Sequence, residues 1–101
     1  MNQTVRLTLI FPPSLEDSVT EALSAQPELP GFTLLHADGH TSDFGAASAS
    51  ERVRGRVQRR VLWMLIERSR VPCALDAVRA EVASHDVRWW LEPVLETGRL
   101  A

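Results

Sequence analysis

Apolar and other side chains alternate from Val5 to Phe11, with Val5, Leu7, Leu9 and Phe11 on one parity and Arg6, Thr8 and Ile10 on the other. A period of two predicts a strand with one face turned to a core. Pro12-Pro13 ends it, because neither residue can donate to a ladder. Ser14 is a suitable helix N-cap, with Asp17 at the capping-box spacing behind it. Leu15, Val19, Ala22 and Leu23 then recur at helical spacing, which predicts an amphipathic helix. Gln26-Pro27 and Pro30-Gly31 stop that helix and turn the chain. Phe32 to Ala37 reads as a second strand. From Asp38 to about Arg54 the apolar rhythm is lost in Gly, Ser, Ala, Asp and His around a single Phe. A connection of roughly 15 residues is long for a compact domain, so 38–54 is expected to be functional or mobile. Val57 to Ile66 carries the strongest strand signal. Pro72 stands where a helix first turn tolerates it. Ala74, Leu75, Val78 and Val82 predict a second amphipathic helix that ends near Ser84-His85-Asp86. Val87 to Leu91 reads as a fourth strand, and Pro93 marks its frayed continuation.

Strand, helix, strand, long loop, strand, helix, strand is the order of a ferredoxin-like β-α-β-β-α-β sandwich. The expected class is α+β, a four-stranded antiparallel sheet with two helices on one face. A single domain is expected over 1–101. The second sheet face should then be polar if it meets water. It is not: Val61, Trp63 and Leu65 are apolar beside Leu62, Met64 and Ile66, and Ile10 and Leu35 fall on the minority parity of their strands. Trp89 and Trp90 are adjacent and must point to opposite faces. Two apolar faces in so short a chain predict self-association.

Composition adds limits. The chain has 101 residues, 45% hydrophobic and 24% charged, and a net charge of −2. That size buries about 60–70% of the unfolded surface, a modest core. The apolar fraction excludes global disorder, and no apolar run approaches the length of a membrane span. Arg6 interrupts the apolar N-terminal stretch, so no signal peptide is expected. The single cysteine, Cys73, excludes an internal disulfide framework and suits a reducing cytoplasm. The net charge conceals a contrast: residues 1–50 carry −5, residues 51–70 carry +5 and residues 71–101 carry −2. All 11 basic residues are arginine.

Three constellations bear on chemistry. His36, His40 and Asp43 lie within one short stretch, and imidazole suits Zn, Cu and Ni. This is the basis of an alternative reading as a direct divalent-metal sensor or buffer; the same polar residues around Gly39 would equally cradle an anion or form a plain loop entrance. The arginine block from Arg52 to Arg60 would place Arg54, Arg56 and Arg60 on one strand parity, facing phosphates or an acidic partner, with Arg59 on the other. Nucleic acid is not expected, because the net charge is negative and the glycine-aromatic signature of RNA-binding sheets is missing. Cys73 beside Pro72 would be favoured as a thiolate at a helix start. No histidine accompanies it in sequence and no nucleophile-elbow motif occurs. Phe11-Pro12-Pro13-Ser14 stands where an acylphosphatase would carry its glycine-rich loop. The chain is therefore not expected to be an enzyme.

"LTLIFPPSLEDSVTEAL" resembles the opening strand and helix of the PII signalling superfamily. "LPGFTLLHADGHTSDFG" is similar to its second strand running into the T-loop, and "VRWWLEPVLETGRL" to its last strand and C-terminal segment. The likeness is nearest to a small branch encoded beside heavy-metal efflux pumps. It implies a cytoplasmic homotrimer, packed sheet to sheet, that binds a small ligand in clefts between subunits and acts on a partner such as an efflux transporter. Carried over, Gly39, His40 and Thr41 fall at the T-loop base, Arg56 at its return and Arg99 in the C-terminal segment that reaches phosphates. The ligand stays open between a nucleotide and a divalent metal. Ala83-Ser84-His85-Asp86 lacks the glycine-rich turn of nucleotide-binding members, and the tyrosine that some members modify is absent.

Overall fold

A computed structural model describes residues 3–40 and 57–101. Strand β1 spans Thr4–Phe11. A 3₁₀ turn over Pro13–Leu15 leads into helix α1, Glu16–Ser24. Strand β2 is Thr33–Gly39 and β3 is Val57–Glu67. A second 3₁₀ turn, Arg68–Arg70, precedes helix α2, Val71–Glu81, and β4 is Arg88–Pro93. The sheet runs β2-β3-β1-β4 with every pair antiparallel. This is the expected sandwich.

Register explains which residues become core. Val5 pairs with Ile66, Leu7 with Met64 and Leu9 with Leu62, so their side chains share the face under the helices. All six are at most 3% exposed. Val19, Ala22 and Leu23 of α1 and Ala74, Leu75 and Val78 of α2 are buried against that face. Burying each large aliphatic side chain contributes about 1.5–3 kcal/mol, which holds the layers together against chain entropy.

Local departures from expectation have simple causes. Ser14 does not cap α1: the helix follows a 3₁₀ turn in which Leu15 N–H donates to Pro12 C=O at 3.0 Å, and no side chain caps it. Two consecutive prolines preset the turn, so the cap position moves to Leu15. β2 runs two residues past Ala37, because Asp38 and Gly39 pair with Gln58 and Val57. The long connection therefore begins after the strand rather than at Asp38; the rest of it, and the expectation that it is mobile, lie outside the described residues. α2 stops at Glu81, where Val82 turns extended and stays buried. β4 includes Pro93, paired with Val5. Proline is tolerated there because β4 is an edge strand.

The second sheet face is open. Ile10, Leu35, Val61 and Trp63 on it are half-buried, while Leu65 and Trp90 are 45% and 44% exposed. Amid them stands a polar knot around Glu92. Arg6 Nη2 donates to Glu92 Oε2 at 2.7 Å and Arg6 Nε to Oε1 at 3.3 Å. Thr8 Oγ1 and Trp90 Nε1 each donate to Glu92 Oε1 at 3.0 Å. The Arg6 guanidinium also lies 4.3 Å from the Trp63 ring centroid, a cation–π distance. Those bonds, from Arg6 first and Thr8 next, hold the Glu92 carboxyl below the usual carboxylate range. Among the described residues no helix is long and apolar enough to cross a membrane.

Candidate functional site

Pro12-Pro13 stop β1 at Phe11, opposite Arg60. β2 and β3 continue past that point to Gly39 and Val57. β4 joins β1 only at Arg88, opposite Ile10. The sheet therefore has a notch where β1 ends, floored by Ile10 and walled by β3 on one side and the approach to β4 on the other. The notch is a cleft of about 340 Å³ lined by Ile10, Gly39, His40, Val57, Arg59, His85, Asp86, Arg88 and Trp90. That volume is in the range of small-ligand sites.

Its chemistry is mostly cationic. Arg59 comes from β3 and Arg88 from β4, both on the open face by register. His40 directly follows β2, and His85 with Asp86 forms the turn ahead of β4. His85 Nε2 lies 3.8 Å from Asp86 Oδ1, and Asp86 N–H donates to Ser84 Oγ at 3.1 Å, which fixes the turn. Gly39 has a structural reason to lack a side chain. A Cβ there would meet Arg59 Cγ at 3.1 Å and Val57 Cγ2 at 3.3 Å, so glycine lets the Arg59 stem lie across the strand end.

The sequence-derived candidates separate in space. Gly39 and His40 line the cleft. Thr41, Arg56 and Asp43 lie outside the described residues. Arg99 does not join them within one chain. β4 runs away from the cleft, Val94 N–H donates to Thr4 C=O, and Thr97 lines a second cleft with Thr4, Glu28, Glu67 and Arg70 at the opposite end of the sheet. Of the residues in the metal reading, His36 sits in β2 opposite Arg60 and His40 follows the end of that strand, while Asp43 lies outside the described residues. No group of three or more His, Cys, Asp and Glu side chains is placed to hold a metal among the described residues.

Arg60 is not part of an anion-facing row. It turns to the helices, where its Nε donates to Glu16 Oε1 at 2.7 Å and ties the start of α1 to β3. Arg54 and Arg56 lie outside the described residues. Cys73 is not poised as a thiolate. Its Sγ donates to Glu28 Oε1 at 3.6 Å, and desolvation together with Glu28 pushes the thiol up. Arg59, His85, Asp86, Arg88 and Trp90 escaped sequence reasoning as a site. The parity of Arg59 and the His-Asp pair before the last strand were the available signals; what joined them was the early end of β1.

A model of the family described as "Protein of unknown function (DUF3240)" matches residues 1–101. The chain belongs to the DUF3240 family. A crystal structure of a DUF3240 family protein from Shewanella baltica OS155 covers 100% of both chains with a TM-score of 0.79 and 19% identity. The structure of Arabidopsis thaliana PII bound to citrate covers 97% of this chain and 83% of its own, with a TM-score of 0.73 and 14% identity. A search of curated proteins finds no match. The family member thus has a PII-like fold, with its cleft at the end of β2 and the beginning of β3.

Proposed function

We propose that this DUF3240 member is a PII-like regulatory protein, a homotrimer that binds a small anionic ligand in the cleft beside Gly39 and His40 and acts on a partner protein. The observation that carries the reading is the cleft itself. It joins Arg59, Arg88, His40 and His85 at the place where the chain leaves β2 and returns to β3. A ligand seated there touches both ends of the long connection, so its binding energy bears directly on how that connection is presented to a partner. The apolar open face supports the trimer, since Leu65 and Trp90 leave water when sheets pack together. A trimer also supplies what one chain lacks, because Arg99 would reach the cleft from a neighbouring subunit. The plant PII relative was crystallised with citrate, a compact anion of the kind two guanidinium groups suit. A heavy-metal efflux transporter is the first partner to test, on the resemblance of the sequence alone. The protein acts by binding and conformational signalling rather than by catalysis.

Light scattering on the full chain tests the assembly and thermal-shift titration tests the ligand. The expected mass is about three times 11.3 kDa. The expected ligand response is a rise in Tm with citrate or a nucleotide that Arg99→Ala reduces. A single-chain mass overturns the trimer, and no thermal response to any anion overturns ligand binding.

A further inference from the structure

The open face carries a groove of about 630 Å³ at the end of the sheet away from the Gly39 cleft, lined by Arg6, Pro30, Gly31, Phe32, Trp63 and Leu65. Pro30, Phe32, Trp63 and Leu65 make it apolar, and Leu65 is 45% exposed. Gly31 leaves it room. Unlike Gly39, Gly31 touches nothing of its own chain: a Cβ there would have no heavy atom within 4 Å, and its φ lies outside the left-handed region that favours glycine. Neither crowding nor strain within the chain asks for glycine at this position. Leu95 stands at the same end of the sheet. It follows β4, where Pro93 pairs with Val5 and Val94 N–H donates to Thr4 C=O at 3.4 Å, so the backbone before it is held. Its side chain is nonetheless 98% exposed. Single exposed leucines are common. One presented on an anchored backbone, however, has already lost part of the chain entropy that docking costs.

We infer that Leu95 of one copy seats in the groove beside Gly31 of a second copy, so that each chain gives an arm to one neighbour and receives an arm from another. The inference rests on the homotrimer reading above and names the contact that locks it. Leu65 belongs both to the groove and to the open face on which the sheets would pack, so the groove continues the proposed interface. The arm matches it in character: Leu95 is apolar and uncovered by its own chain, and Glu96 beside it is opposite in charge to Arg6, which lines the groove and also bonds Glu92. Arm and groove are different surfaces, and a contact of that kind, repeated by rotation, closes a ring of identical copies. Burying one leucine in this way strengthens association roughly tenfold to a hundredfold per contact.

Thiol trapping tests the exchange on the full chain, with Cys73→Ala removing the one native thiol. A chain carrying Gly31→Cys is co-expressed with a chain carrying Leu95→Cys, mildly oxidised, and read on a non-reducing gel and by mass spectrometry. A disulfide joining one chain of each kind is expected, at a yield that dilution does not change. Gly31→Cys with Arg79→Cys, an exposed position on α2, should give none. With Gly31→Cys and Leu95→Cys in one chain, oxidation should link three chains; an internal disulfide instead would seat Leu95 in its own groove and overturn the exchange. No mixed disulfide from chains that light scattering shows assembled overturns the exchange and leaves the homotrimer standing, whereas single chains in the native protein overturn both. Sedimentation supplies a second measurement. Gly31→Leu fills the groove without a clash and Leu95→Asp removes the arm. Each should weaken association about tenfold or more, and the two together no more than either alone, because both abolish one contact. Losses that add, or no loss in either variant, overturn the inference.

Discussion

Glu92 shows how one residue is asked to do opposite things. It stands on a sheet face rich in apolar side chains, yet it accepts hydrogen bonds from Arg6, Thr8 and Trp90. Each of these favours the carboxylate over the acid, so the folded pKa lies below the ordinary value of 4.5. A lowered folded pKa contributes stability that is present above that ordinary value and is lost as pH falls through the folded value. Urea unfolding below pH 4.5 should therefore show falling stability in the native chain and a shallower fall in Glu92→Gln. Equal slopes would remove Glu92 from the acid response. At the same scale, Gly39 is explained by the closeness of Arg59 and Val57 rather than by backbone freedom. Cys73 illustrates the reverse of its sequence environment: the start of a helix favours a thiolate, but desolvation and Glu28 outweigh it.

At the scale of elements, β3 is the strand that decides the architecture. It pairs with both β1 and β2 and carries apolar residues on both faces. Leu62 is fully buried under the helices, whereas its near neighbour Leu65 is 45% exposed on the open face. Leu62→Ala should cost about 2–5 kcal/mol, since the cavity it leaves is enclosed by Leu9 and Leu34 in register. Chemical denaturation reads that loss as a lower midpoint at unchanged slope. A loss below 1 kcal/mol would mean that the helices are not packed on this face as described. The early end of β1 is the second element-scale determinant. Two prolines terminate one strand while its neighbours continue, and the missing ladder becomes a cleft.

The whole molecule carries apolar surface that a lone chain leaves in water. Leu65, Trp89 and Trp90 are each nearly half exposed, and Leu95 and Leu100 in the C-terminal segment are fully exposed. On the proposed trimer, Leu65→Arg should convert the assembly to single chains, because a charge buried between sheets is costly. Its fold should survive, since Leu65 contributes nothing to the core under the helices. Light scattering with circular dichroism checks both halves, and an intact trimer would place the interface elsewhere.

The period of two in the strands, the helical spacing and the breakers at Pro12-Pro13 and Pro30-Gly31 were enough to define the sandwich and its element order. These signals are local, and burial on one face rewards one register only. The same periodicity showed that Trp89 and Trp90 divide between faces and that Arg59 and Arg60 part company. Gly39 and His40 were also legible, because they stand where the apolar rhythm stops. The rest of the cleft was not. Arg59, His85 and Arg88 are separated by more than 25 residues of chain at one step and meet only because β3 and β4 flank a strand that ends early. Arg99 could not be placed from the chain order, since the direction of β4 carries it to the other end of the sheet. Sequence alone determined the secondary structure, the core and the doubled apolar faces, because nearest-neighbour sterics and hydrophobic period act along the chain. Only the tertiary structure decided which charges share a cleft, because that depends on strand order and on where each strand stops.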